Sequence, residues 1–208
     1  MMNAANLRTA YFGRALSLGF SLIFFMGVLA GETKDLFLSV GQPLKLSGFG
    51  QFQYALREKG IDGFSIKRAR ATLSGDVTDR IQYKIQVDAT KSPVLLDVQA
   101  EYRFSPKAIL RAGQFKIPFS MENLVSSSSL DTINRSQTVE NLCPGRDIGS
   151  QGRDIGILFT GSASELEYAI GAFNGAGINK LDTNEQKDFG GRLVYSPLKI
   201  LSLAGSFY

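Results

Sequence analysis

The chain has 208 residues, of which 44% are hydrophobic and 20% charged, with 23 basic and 19 acidic side chains, one cysteine and no histidine. This length suits one domain or part of one, and the absence of histidine excludes most serine and cysteine triads, histidine-containing zinc sites and haem sites. The single Cys143 cannot form an internal disulfide, and the scattered basic residues give no support for binding of nucleic acid.

The first thirty residues differ in composition from the rest of the chain. Arg8 and Arg14 precede an apolar stretch over residues 15–30, which is shorter than the roughly 20 residues that a membrane-spanning helix needs. Val28 and Ala30 satisfy the preference for small residues before a signal-peptide cleavage site. The pattern predicts a signal peptide over residues 1–30 and a short lead over residues 31–43; the alternative is a retained anchor.

From Leu44 onward, apolar and polar residues alternate with a period of two, which indicates strands with one apolar and one polar face. Several of these segments reach the roughly 9–11 residues of a strand that crosses a bilayer at a tilt, with charged residues in mid-strand on the polar face. Nine strands are predicted, over residues 44–57, 64–77, 81–90, 94–104, 108–118, 153–161, 165–174, 188–195 and 200–208.

The connections between the predicted strands alternate in length. Every second connection is short, whereas residues 119–152 and 175–187 form long ones, as in outer-membrane barrels with short periplasmic turns and longer external loops. With nine strands, the last predicted strand runs from the periplasmic side toward the external side and has no following strand in this chain to return. The sequence therefore predicts an all-β fold, a transmembrane antiparallel β-barrel, with residues 44–208 as its first half. The strands of a soluble barrel also alternate apolar and polar residues, but their apolar face lies inside the barrel.

Residues 111–120, Arg-Ala-Gly-Gln-Phe-Lys-Ile-Pro-Phe-Ser, closely resemble the phosphate-selective porin O and P family. The resemblance extends through residues 68–70, 86–88, 144–149 and 173–175 and covers residues 44–208. It implies a 16-stranded barrel in the bacterial outer membrane, usually a homotrimer, whose third external loop, here residues 119–152, constricts the pore. The expected partners are outer-membrane lipid and small anions; no enzymatic activity, cofactor, metal or nucleic acid is expected.

Basic side chains are the candidates for lining the pore and binding anions, because arginine and lysine hold phosphate by charge-assisted hydrogen bonds. The candidates are Lys45, Arg68, Arg70 and Arg111 on strands, and Arg135 and Arg146 on the long loop. Arg68 and Arg70 lie two residues apart and so share one face of a strand. They could instead be ordinary lumen residues that pair with Asp88 or Asp97.

The charges predicted to face inward nearly balance, eight basic against seven acidic. The basic ones are Lys45, Arg57, Arg68, Arg70, Lys84, Arg103, Arg111 and Arg192, and the acidic ones are Asp76, Asp88, Asp97, Glu101, Asp154, Glu165 and Glu167. The long loop, residues 119–152, contains two arginines, Arg135 and Arg146, and four acidic residues, Glu122, Asp131, Glu140 and Asp147.

The predicted function is passive diffusion of small hydrophilic solutes, preferentially anions such as phosphate. A general or cation-selective porin, or a secreted β-barrel that binds a ligand without forming a pore, are the alternatives.

Three local features complete the predictions. Gly113 could mark a bulge that changes the facing of the fifth strand, which leaves the direction of Lys116 open. The repeated Arg-Asp-Ile-Gly at residues 146–149 and 153–156 is interpreted as a turn followed by a strand start, with a paired ligand clamp as the alternative. The serine run over residues 126–129 is predicted to be solvated loop.

Overall fold

The computed structural model describes residues 44–56, 60–182 and 184–208. The predicted signal peptide over residues 1–30, the lead over residues 31–43 and Arg57 lie outside the described residues. Two short helices are present, α1 Met121–Leu124 and α2 Gln137–Leu142. The strands are β1 Lys45–Ala55, β2 Gly63–Thr78, β3 Ile81–Asp88, β4 Leu95–Ser105, β5 Ala108–Lys116, β6 Arg153–Ala163, β7 Leu166–Phe173, β8 Asp188–Leu198 and β9 Leu201–Phe207.

The nine strands form one antiparallel sheet in chain order, from β1 to β9. Their bounds agree with the predicted strands to within three residues, so the all-β prediction is confirmed. The connections that follow β2, β4, β6 and β8 contain two residues each, and those that follow β1, β3, β5 and β7 are longer. All short turns therefore lie at one end of the sheet and all long loops at the other. Within the described ranges β1 and β9 do not pair with each other.

One face of the sheet is apolar and exposed. Large side chains at alternate positions of different strands remain open on it, including Ile85, Val98, Ile157, Ile170 and Leu193. Near the short turns, four aromatic rings from neighbouring strands form a chain, Tyr102, Phe104, Phe159 and Tyr168, with successive centroids 4.9, 6.4 and 6.1 Å apart. Exposed apolar surface bordered by aromatic rings is typical of the lipid-facing side of a membrane barrel.

The opposite face is polar and is covered by the long connection between β5 and β6, residues 117–152. Gln51 of β1 donates its side-chain amide to the carbonyl of Ser127 at 3.3 Å, and the amide of Ser120 donates to the Oγ of Ser206 in β9, also at 3.3 Å. We call this side the loop-covered face. The connection therefore reaches both edge strands, which requires the sheet to curve around it.

A small apolar core anchors the root of this connection. Phe115 and Ile117, at the end of β5, pack with Leu158 and Phe173 from the next two strands, and all four side chains are at most 2% exposed. The rings of Phe115 and Phe173 lie 5.9 Å apart in an edge-to-face arrangement, which aromatic pairs favour. Apolar packing therefore fixes the point at which residues 117–152 leave the wall.

Neither α1 nor α2, nor any other helix of the described residues, has the length and hydropathy needed for a membrane span.

Candidate functional site

Arg70 lies at the centre of a network that joins the sheet to the covering loop. Its Nε donates to Asp88 Oδ2 at 2.8 Å, while its two terminal nitrogens donate to Ser127 Oγ at 3.1 Å and to Gln151 Oε1 at 2.9 Å. Asp88 lies directly opposite Arg70 in the β2–β3 register. The pairing alternative is therefore correct for Arg70, whose charge is partly neutralised by its neighbour on β3.

Arg68 is also buried, but its partners are uncharged. It donates to the side-chain oxygen of Gln51 and to the carbonyl of Ile133 at 2.9 Å. Ile133 belongs to the covering loop, so this arginine also holds the loop against the wall. No carboxylate forms an ion pair with Arg68 in the part of the chain that the structure describes. The pairing alternative does not hold for this residue, and its charge is not neutralised.

Arg153 was not nominated from the sequence, yet it is the most deeply buried arginine of the site. Its Nε donates to Asp97 Oδ1 at 2.6 Å, and Lys84 donates to the other oxygen of the same carboxylate at 2.7 Å. The turn-then-strand interpretation of the repeated Arg-Asp-Ile-Gly segments is consistent with the structure, since β6 begins at Arg153. The position of Arg153 at the start of a strand, however, gives no indication that its side chain passes β5 to reach Asp97 on β4.

Lys116 lies on the loop-covered face. Its Nζ donates to the carbonyls of Leu124 and Val125, at 3.1 and 2.8 Å, which lie at the C-terminal end of α1. Gly113, with φ of 119°, adopts a conformation that favours glycine and lies opposite Gly156 in the β5–β6 register. The β5–β6 register continues through Gly113 without a shift, and the guanidinium of Arg111 lies over the Phe115 ring, so residues on the two sides of Gly113 share one face. The bulge considered at Gly113 is therefore not present in this pairing, and the Lys116 side chain reaches the cavities that Arg111 lines from the end of β5.

Arg135, in the covering loop, has only neutral partners. It donates to the backbone carbonyls of Glu122 and Val125, at 3.0 and 2.8 Å, and to Ser127 Oγ at 3.3 Å. Burial, together with the nearby charges of Arg146 and Arg68, lowers the pKa of Arg135 to about 10, so it stays charged at neutral pH. Arg135 is thus a buried loop cation without an ion-pair partner among the described residues.

The loop acids do not neutralise Arg135. The Glu122 carboxylate accepts hydrogen bonds from the amide and the hydroxyl of Ser136, at 2.5 and 2.7 Å, and these bonds lower its pKa. Arg146 instead pairs with Glu140 at 2.9 Å and donates to the buried Asn123. Of the two nominated loop arginines, only Arg146 has an acidic partner.

The remaining nominated residues lie at the margins of this network. Arg111 pairs with Glu101 at 2.8 Å, and its guanidinium lies 5.4 Å from the centroid of the Phe115 ring. Lys45 begins β1 opposite Ser74, is exposed, and does not contribute to the cluster around Arg70.

The prediction that the serine run is solvated is wrong for Ser127. This residue is 2% exposed because Arg70 and Arg135 both donate to its hydroxyl. Asp154, predicted to face inward, pairs with Phe115 in the β5–β6 register and is 1% exposed. Its carboxylate accepts hydrogen bonds from the amides of Gly175 and Gly177 at 2.7 and 3.2 Å, so it fixes the turn after β7.

The network encloses a cavity of about 200 Å³ between the covering loop and the wall, which we call the basic cavity. Ser126 and Ser127 contribute hydroxyl groups to its lining. Five basic side chains and one carboxylate line it: Arg70, Lys84, Arg111, Lys116 and Arg153, with Asp97. Hydroxyl donors and fixed cations in this arrangement can replace the hydration shell of a small oxyanion.

The near balance of charges predicted for the whole inner face therefore does not hold locally. Asp88 and Glu101 neutralise Arg70 and Arg111 from the edge of the basic cavity, whereas Lys116 has no acidic partner among the residues described. Arg68 and Arg135, next to the cavity, are likewise paired only with neutral oxygens. Basic residues without an acidic partner therefore gather around the basic cavity.

Comparison with known families gives one match. The family described as phosphate-selective porin O and P matches residues 47–202, which span the described sheet from β1 into β9 together with the covering loop. No curated protein matches the chain.

Proposed function

Because the chain belongs to the phosphate-selective porin O and P family, we propose that it forms the wall of an outer-membrane pore through which small hydrophilic anions, phosphate among them, diffuse passively. Residues 44–208 would form the first half of the barrel and residues 119–152 its constriction loop. The observation that carries the proposal is the basic cavity, in which five basic side chains and one carboxylate lie between the loop and the wall.

The two faces of the sheet support a pore in a membrane over a soluble binding protein. Exposed apolar residues such as Ile157 and Ile170 lie on the outer face, whereas the charged residues lie under the loop. A soluble barrel would have the reverse arrangement. Burying an arginine of the loop-covered face in lipid would cost about 2–4 kcal/mol at mid-membrane. We therefore propose that the apolar face contacts outer-membrane lipid.

The test is ion selectivity of the full-length protein in planar bilayers under a KCl gradient. We expect a reversal potential that indicates preference for chloride, and a smaller preference after Arg68→Gln with Arg70→Gln, because the double variant removes two cations and leaves Asp88 unpaired. Arg103→Gln is the matched control, since Arg103 donates to Gln82 and does not line the basic cavity. Added phosphate should inhibit the chloride current.

Each outcome has a defined meaning. Preference for potassium in the wild type would refute an anion pore and favour a cation-selective porin. Preference for chloride without inhibition by phosphate would restrict the function to anions in general. The family resemblance also implies a homotrimer, which chemical cross-linking in outer-membrane fractions would detect.

A further inference from the structure

A second cavity of about 340 Å³ adjoins the basic cavity on the loop-covered face, on the side of the short turns. One cross-strand row of the sheet forms part of its wall, because Ile109, Thr160, Ala169 and Arg192 are direct register partners through β5, β6, β7 and β8. The root of the covering loop closes the side toward the basic cavity. We call it the apolar-walled cavity.

The lining of this cavity differs in kind from that of the basic cavity. Apolar residues from the strands and from the loop contribute to its surface: Ile109, Leu158, Ala169, Pro118 and Leu124. Leu158 belongs to the buried core, so this wall is rigidly backed. An inorganic oxyanion gains nothing from such a wall, because apolar groups cannot replace its hydrogen bonds to water.

Charge is nevertheless present at the rim. The basic residues Lys107, Arg111, Lys116 and Arg192 line the cavity, against one acidic residue, Glu167. Arg111 is paired with Glu101, whereas Arg192 forms no ion pair within the described ranges, and its enclosed Nε has no hydrogen-bond partner there. The guanidinium of Arg192 therefore has no carboxylate partner among the described residues, and its terminal nitrogens can donate charge-assisted hydrogen bonds to a carboxylate in the cavity.

We propose that the apolar-walled cavity binds small organic anions that carry one carboxylate on a compact apolar body, with the carboxylate at Arg192 and the body against Ile109 and Ala169. The volume lies at the lower end of the roughly 300–1,000 Å³ of small-molecule sites. The inference rests on the proposed pore, and it adds a second class of solute beside inorganic anions.

The test compares benzoate with acetate as blockers of the chloride current through the full-length protein in planar bilayers. Both carry one carboxylate, so they differ only in the apolar body. A ring that buries about 60 Å² against this wall gains about tenfold in affinity, at about 25 cal/mol per Å². We therefore expect benzoate to block at about one tenth of the acetate concentration.

Variants assign the effect to this cavity. Arg192→Gln should raise the half-blocking concentration of benzoate about tenfold, the loss expected for one charge-assisted hydrogen bond. Ile109→Gln should reduce the difference between benzoate and acetate and leave acetate unchanged. Arg103→Gln is the matched control, because Arg103 lies beside Ile109 in the β4–β5 register but does not line the cavity. Single-channel conductance shows that each variant forms a pore.

Equal block by benzoate and acetate, or a benzoate block unaltered by Arg192→Gln in a conducting pore, would overturn the inference. Chloride preference and inhibition by phosphate are recorded in the same bilayers. Loss of those two properties would refute the proposed function, whereas an anion-selective pore that does not distinguish benzoate from acetate would refute only this inference.

Discussion

Asp97 is the one carboxylate of the basic cavity, and its removal is the sharpest test of how the site is held together. Its side chain is 3% exposed and lies between Arg153, at 2.6 Å, and Lys84, at 2.7 Å. In Asp97→Asn the shape is retained and the negative charge is lost. Arg153, with a side chain 2% exposed, then remains buried without a counter-charge.

The size of the effect follows from the burial of the two partners. Breaking a buried ion pair by removing one partner costs about 3–5 kcal/mol, since an uncompensated charge stays behind. Lys84 is 36% exposed and can turn toward water, so its pairing contributes little. We therefore expect the free energy of unfolding to fall by about 3 kcal/mol, almost all of it from Arg153.

The measurement is chemical unfolding of the full-length protein in lipid vesicles, at low and high phosphate concentration. Phosphate should stabilise Asp97→Asn more than the wild type, because Arg153 and Lys84 then lack a counter-charge and an anion in the adjoining basic cavity can supply one. Asp76→Asn is the matched control. Asp76 accepts a hydrogen bond from the side chain of Gln82 and forms no ion pair in the described part of the chain. Loss of its charge should therefore change the free energy of unfolding by no more than about 0.5 kcal/mol. Equal stability of the Asp97 and Asp76 variants, with no response to phosphate, would refute the reasoning.

Three further predictions concern the loop and its attachment. Lys116→Met removes both bonds to the end of α1, so protease should cleave the loop faster and single-channel conductance should become more variable. Gly113→Ala should sharply lower the yield of heat-modifiable barrel, because the new Cβ would clash with the backbone oxygen of Val98 in β4. Gly205→Ala, with open space around it, should not. Hydrogen bonds from Ser136 lower the pKa of Glu122. The ionised carboxylate therefore stabilises the loop above about pH 4.3, and this stabilisation is lost as the pH falls through the lowered pKa. Loop proteolysis should accelerate in acid for this reason, and Glu122→Gln should abolish that dependence.

The candidate site could be predicted only in part. Arg68 and Arg70 were found because two residues on one strand share a face, a local property. Arg153 was missed because its partner, Asp97, lies 56 positions away in the sequence. Ser127 was misjudged for the same reason, since its burial depends on arginines from a distant strand and from the far side of the loop.

The sequence by itself determined the strands, their facing and the alternation of short and long connections, because a period of two and the turn residues between strands act over a few neighbours. Only the tertiary structure decided where charge is neutralised. The inward count predicted from the sequence was eight basic against seven acidic residues, but the basic cavity is lined by five basic residues and one carboxylate, and Asp154 binds backbone amides outside it. Electrostatic attraction depends on distances between groups remote in the chain, and these exist only after the loop has folded onto the wall.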